Sequence, residues 1–200
     1  MFIQVIEGHA DDPQAFERLL DRWDTEVRPG ADGYLGTTGG CTTNGDCVLV
    51  ARFNDREAAK RNGQRPEQQA WWRDLEQCLG DTLQHHETTD VHVMEGGDLD
   101  RAGFVQVMEG HVSDRQRAIA MEEESDADVR AMRPDLLGSV TAYFESDDFT
   151  SIAYFTSEQE ARTGESKEMS PEMAEKYESW STLMKVDRYL DVPRPHLTSA

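Results

Sequence analysis

Phe2-Ile3-Gln4-Val5-Ile6-Glu7-Gly8-His9 returns 102 residues later as Phe104-Val105-Gln106-Val107-Met108-Glu109-Gly110-His111. Six of the eight positions are identical, and the other two exchange Ile for Val and Ile for Met. The chain is an internal duplication. Two copies of so long a period do not make a solenoid; each is the size of a small domain.

Outward from the repeat, both copies follow one order. In the first, residues 2–7 read as a strand, apolar on both faces except Gln4. A helix follows, started by Asp11 and Pro13, with Phe16, Leu19, Leu20, Trp23 and Val27 at helical spacing. Residues 34–41 and 47–53 read as a hairpin around Asn44-Gly45, the strongest short turn signal. A short helix runs to about Asn62, and Pro66 opens a longer one carrying Trp72, Leu75 and Leu79. Residues 90–94 read as the fourth strand, and His85-His86 fall in the loop before it. In the second copy the strands are 104–109, 137–144, 149–155 and 187–192, and Ser170-Pro171 opens the last helix. Each copy is β-α-β-β-α-β, the ferredoxin-like order. The expected class is α+β: two such repeats, residues 1–95 and 104–193, joined by a linker at 96–103 and followed by a tail at 194–200. Strands apolar on both faces need cover on both, so the repeats are expected to pack sheet to sheet as a pseudo-dimeric α+β barrel within one chain. That arrangement predicts a monomer.

The 200 residues include 20 basic and 40 acidic side chains, a net charge of −20. Residues 1–100 carry 9 basic and 20 acidic residues, and residues 101–200 carry 11 and 20. An even acidic coat argues against nucleic acid or anionic lipid as partner. No apolar run is long enough to span a membrane. Met1 leads straight into a strand pattern, leaving no room for a signal peptide, so the expected location is the cytoplasm. With Asn44-Gly45 as a two-residue turn, Cys41 and Cys47 point to opposite sheet faces, and no disulfide is expected. Two histidines without further Cys or carboxylate ligands do not make a metal site.

Ala51-Arg52-Phe53-Asn54-Asp55-Arg56-Glu57-Ala58-Ala59-Lys60-Arg61-Asn62 joins a strand ending in Phe to an acidic short helix ending in Asn. Ala153-Tyr154-Phe155-Thr156-Ser157-Glu158-Gln159-Glu160-Ala161-Arg162 repeats the pattern. Both segments resemble the antibiotic-biosynthesis-monooxygenase (ABM) type domains of the dimeric α+β barrel superfamily. The resemblance covers nearly all of both halves by element order. It implies a barrel that some members use to oxygenate aromatic polyketides with neither metal nor flavin, so no cofactor is expected. In those oxygenases a third-strand Trp and a short-helix Asn contribute to the site. Phe53 and Asn62 stand at these positions, and Phe155 and Gly164 stand there in the second half. Haem-degrading members resemble residues 52–72, but their ligating His falls at Trp72, which cannot bind iron.

The resemblance therefore implies Asn62 as a catalytic candidate, with a small apolar or phenolic ligand held by Gln4, Phe53 and Trp72. Gln106, Phe155 and Trp180 are the second-half ligand-binding candidates. His9, repeated as His111, is either a base acting near neutral pH or an exposed residue at a strand end. Gln4 and Gln106 bond either a ligand carbonyl or the interface between halves. Trp71, Trp72, Tyr177 and Trp180 are either core or the wall of an apolar pocket. Glu122-Glu123-Glu124 reads as a solvated helix face. Two functions follow: a cofactor-independent monooxygenase or related enzyme, or a non-catalytic ligand-binding or interaction barrel.

Overall fold

The computed structural model describes residues 1–199. The chain forms two units, Met1–Thr89 joined by the residues from Arg194 onward, and Asp90–Pro193. In the first unit the order is β1 (Phe2–His9), α1 (Pro13–Arg22), β2 (Tyr34–Cys41), β3 (Asp46–Phe53), α2 (Arg56–Gly63), α3 (Pro66–Leu79) and β4 (Gln84–Thr88). The second runs β5 (Val91–Glu95), β6 (Phe104–Val112), α4 (Arg115–Met132), β7 (Leu136–Tyr143), β8 (Asp148–Phe155), α5 (Glu158–Glu165), α6 (Pro171–Leu183) and β9 (Met184–Val192). The chain then returns to the first unit as β10 (His196–Ser199). Both sheets are antiparallel, with strand orders β10-β2-β3-β1-β4 and β5-β7-β8-β6-β9. Omitting β10 and β5 leaves the ferredoxin-like order in each, so the duplicated α+β fold stands. The registers match too: Phe2 pairs with Phe53 as Phe104 pairs with Phe155, and His9 with Asp46 as His111 with Asp148.

Two expectations about strands change. The fourth strand is Gln84–Thr88, not residues 90–94, and it includes His85 and His86. Residues Val91–Glu95 form the outer strand beside β7, in the other sheet. The expected tail supplies the matching outer strand beside β2. The boundary therefore falls at Thr89 and Asp90 rather than in a linker at 96–103. Both misread strands lie at sheet edges, where one side of the strand needs no apolar neighbour, so Gln-His-His-Glu-Thr and His-Leu-Thr-Ser carry no hydrophobic alternation.

The β2–β3 hairpin also departs from expectation. Thr42 N donates to Asp46 O at 2.8 Å, Gly45 N donates to Thr42 O at 3.1 Å, and Gly45 has φ +91°. This is a three-residue loop closed by a left-handed glycine, one residue longer than an Asn-Gly two-residue turn. The extra residue moves the register by one. Cys41 then lies directly opposite Cys47, with Cα atoms 4.0 Å apart, and the two form a disulfide.

Alternation along the strands sorts the sheet faces. In the first unit Phe2, Ile6, Leu49 and Phe53 face the helices and join Phe16, Leu19, Leu20, Trp23, Trp71 and Leu75 in one buried core. Trp71 Nε1 donates to Leu19 O at 2.7 Å and ties α3 to α1. The opposite face carries Ile3, Val5, Val48 and Val50, which are also buried. α1 starts one residue later than expected: Asp12 caps it by accepting from Gln14 N, with Pro13 at the first helical position, where its missing N–H costs nothing. Asp114 caps α4 by accepting from Arg117 N. Among the described residues no helix is long and apolar enough to cross a membrane.

Candidate functional site

The first unit holds a cavity of about 560 Å³ between its sheet and its helices. Its floor is one face of the sheet: Gln4 and Ile6 of β1, Thr37 of β2, and Leu49, Ala51 and Phe53 of β3. The small side chains at Ala51 and Ala59, with Gly63, leave room that larger residues would fill. Trp23, Trp71 and Trp72 make the helical wall, and His85 and His196 complete the lining. Trp23 and Asp24 belong to a π turn, Trp23–Val27, that continues α1. Such turns widen a helix locally and recur at functional sites.

The lining also carries polar side chains, among them Gln4, Asp24, Thr37, Asn62 and Gln68, and some of them are held in place. Gln68 Oε1 accepts from Trp23 Nε1 at 2.8 Å and from Asn62 Nδ2 at 3.1 Å. Asn62 Oδ1 accepts from Arg65 at 2.9 Å, and Arg65 also donates to Val27 O at 2.8 Å. Buried Asn62 thus has both ends of its amide engaged, and it orients Gln68. Gln68 keeps its amide N–H₂, and Gln4 its whole amide, without a hydrogen bond among the described residues. His85 packs its ring 5.4 Å from that of Trp72, and burial lowers its pKa, with Glu87 opposing and His86 adding to the effect. Beside the cavity, Tyr34 lies 4.8 Å from the Trp23 ring and donates or accepts a 2.6 Å bond with Thr198 Oγ1; burial raises its pKa.

The candidates from sequence separate clearly. Gln4, Phe53, Asn62 and Trp72 all line this one cavity. His9 does not: it is half-exposed at the end of β1, bonded to Asp46 at 3.1 Å across the strand pair. The repeated pair His111 and Asp148 is likewise exposed, at 3.1 Å. These histidines clasp strand ends. Gln106 donates to Asp191 Oδ1 at 2.9 Å on the neighbouring strand, a partner inside its own sheet rather than a ligand. Phe155 is buried beside Phe104 with the Arg133 guanidinium over its ring, and Trp180 stacks on Tyr177. At Gly164, in the position of Asn62, an added Cβ would lie 2.3 Å from Arg133 Nε, so the arginine holds that space.

Gln68, Asp24 and His196 are among the residues of the first-unit site that were not foreseen. His196 Nε2 lies 2.8 Å from Asp24 Oδ2, and both side chains line the cavity. The only trace in the sequence is indirect. Asp24 and Asp126 stand 102 residues apart, the spacing of the opening repeat, and each meets a histidine. His92, opposite Thr141 in β7 as His196 is opposite Gly39 in β2, lies 3.4 Å from Asp126. Glu122 is another correction: it is no solvated face residue but sits under α4, accepting from Tyr143 Oη at 2.7 Å. Burial raises its pKa, against hydrogen bonds from Tyr143 and Trp180 and the charge of His92. Among the described residues no three His, Cys, Asp or Glu side chains are grouped to hold a metal.

No family model matches the chain, and no curated protein does. Solved structures match it over its whole length. A Lactobacillus acidophilus NCFM protein proposed to be a monooxygenase aligns with a TM-score of 0.75 at 11% identity, covering 99% of this chain and 96% of that one. A Fusobacterium nucleatum subsp. nucleatum ATCC 25586 protein, also proposed to be a monooxygenase, gives 0.76 at 10% identity over 99% and 94%. An anthrone oxidase-like protein gives 0.71 at 10% identity over 100% and 93%. At such identities the likeness is one of fold: a duplicated α+β fold in a single chain.

Proposed function

We propose that the first-unit cavity binds a small, flat aromatic or phenolic compound and that the protein oxygenates it without a bound cofactor. The observation that carries the reading is the lining: the aromatic side chains Trp23, Phe53, Trp71 and Trp72, with polar side chains among them that offer amide donors. Apolar walls with sparse, oriented amides are what a flat ligand with one or two oxygens needs. Gln4 and Gln68 offer donors to ligand oxygens, and Asn62 acts by holding Gln68. The names of the fold relatives, two proposed monooxygenases and an anthrone oxidase-like protein, point to the same reaction class by analogy of fold. A binding-only protein is the second reading, favoured by both amide atoms of Asn62 already bonding to protein groups.

Oxygen uptake with a panel of anthrones, naphthols and phenols, on dialysed protein, separates the two. The expected result is uptake with at least one three-ring phenol. Gln4→Ala should weaken it by about 1 kcal/mol of transition-state binding, the worth of one hydrogen bond. Tight binding by tryptophan fluorescence with no uptake from any member would select the binding-only reading.

A further inference from the structure

We propose that His196, held by Asp24, is the proton acceptor of the first-unit cavity, and that the ligand it takes is a compound with an acidic O–H, bound as its oxyanion. The inference rests on the reading of the cavity as an aromatic-ligand site and adds the residue that would act on the ligand.

The geometry is that of an oriented base. Asp24 Oδ2, 2.8 Å from Nε2, keeps the proton on that nitrogen and leaves Nδ1 with its lone pair free. Nδ1 makes no hydrogen bond among the described residues; Asp21 Oδ1 is 3.7 Å away. Asp24 is itself held from behind, with Arg28 Nε 3.7 Å from Oδ1. That Oδ1 is buried and accepts no hydrogen bond among the described residues. The charged and titratable groups facing the pair are thus Asp21, Asp24, Arg28 and, through Asp24, Tyr34. The bland alternative is a structural clasp like His9 with Asp46. One observation separates them. His9 is 44% exposed at a strand end outside the cavity, whereas the His196 side chain is 22% exposed and lines it.

In the step proposed, the ligand O–H bond breaks, its electron pair stays on oxygen, and the proton passes to His196 Nδ1. Imidazolium and oxyanion then face each other, with the Asp24 carboxylate stabilising the imidazolium. Nothing else is consumed.

A nitrophenol, whose oxyanion absorbs at longer wavelength than the phenol, tests this at a pH just below its own ionisation. Binding is read separately by quenching of tryptophan fluorescence. The expected result is that the protein raises the oxyanion band of bound nitrophenol. His196→Gln should return the band to that of free nitrophenol at the same pH and weaken binding only about fivefold, the worth of a hydrogen bond. Asp24→Asn, which keeps the shape and removes the charge, should lower the band in part, so the proposal does not hang on the folding of one variant. A band unchanged in both folded variants overturns the proposal and leaves the cavity reading standing. Nitrophenols and naphthols that fail to bind the parent protein overturn both.

Discussion

Leu20 borders the cavity of the first unit; 102 residues later, at the same place on α4, stands Glu122. Cys41 and Cys47 bridge the β2–β3 hairpin; at the same two places in β7 and β8, Tyr143 faces Phe149. On α3 the side chains of Trp71, Leu75 and Leu79 are buried, whereas α6 buries none of its described residues, and its Tyr177 is 51% exposed. The two copies share backbone register and differ in what fills the space between helices and sheet. The first has apolar walls and an open cavity. The second has Glu122, Tyr143, Thr141 and Ser151 bonded to one another over the equivalent strands. The two copies share one frame, with a cavity in the first and a bonded polar cluster in the second.

The largest effect expected from this difference is on the long second helices. Trp71→Ala removes a buried ring and its bond to Leu19 O, and should cost about 3–5 kcal/mol in a denaturant melt. Trp180→Ala, on a helix that packs through partly buried residues, should cost about 1 kcal/mol. Equal costs would mean that α6 is seated as firmly as α3, and the contrast between the units would fail.

What the residues reveal in advance follows the same divide. Elements that are apolar on both faces, such as β1 and β3, or that carry an apolar stripe, such as α3, are legible because burial marks their sequence. Phe53 and Asn62, which line the cavity, fall in the segment that resembles the ABM-type domains. β4 and β10 are not, since an edge strand is held by backbone bonds that any side chain permits. His196 therefore reads as part of a tail, although it reaches the cavity by pairing opposite Gly39. The disulfide was hidden by a single residue of loop length. Asn44-Gly45 signals a turn correctly, but whether the loop has two residues or three decides which side chains meet. Glu122 was hidden because its neighbours Glu123 and Glu124 are exposed, and only the fold shows which of three glutamates points inward.

The next effect concerns those hairpins. Closing a loop of about seven residues restricts the unfolded chain enough to contribute about 2 kcal/mol. Reduction of Cys41 and Cys47, or their joint replacement by serine, should lower protection from amide exchange in β2 and β3. The β7–β8 hairpin, held at the same place by Tyr143 and Phe149, should be unaffected by the reductant. Equal loss of protection in both hairpins would show that the covalent link and the aromatic pair are not alternative solutions to one local problem.

The smallest effect is the most informative about the second unit. A glutamate in the unfolded chain ionises near pH 4.3, and burial raises the value for Glu122 in the folded protein. The folded state therefore holds its proton to higher pH than the unfolded state. The stability this contributes is complete below the unfolded value and is lost as pH rises through the raised one. Glu122→Gln keeps an acceptor for Tyr143 and removes the charge. Its melting temperature should match the parent at about pH 4 and exceed it at about pH 8, by the equivalent of about 1 kcal/mol. A variant no more stable at the higher pH would mean that Tyr143, Trp180 and His92 fully offset the buried carboxylate. The second unit would then hold a stable charged histidine–carboxylate cluster, closer in character to the His196–Asp24 pair than its closed packing suggests.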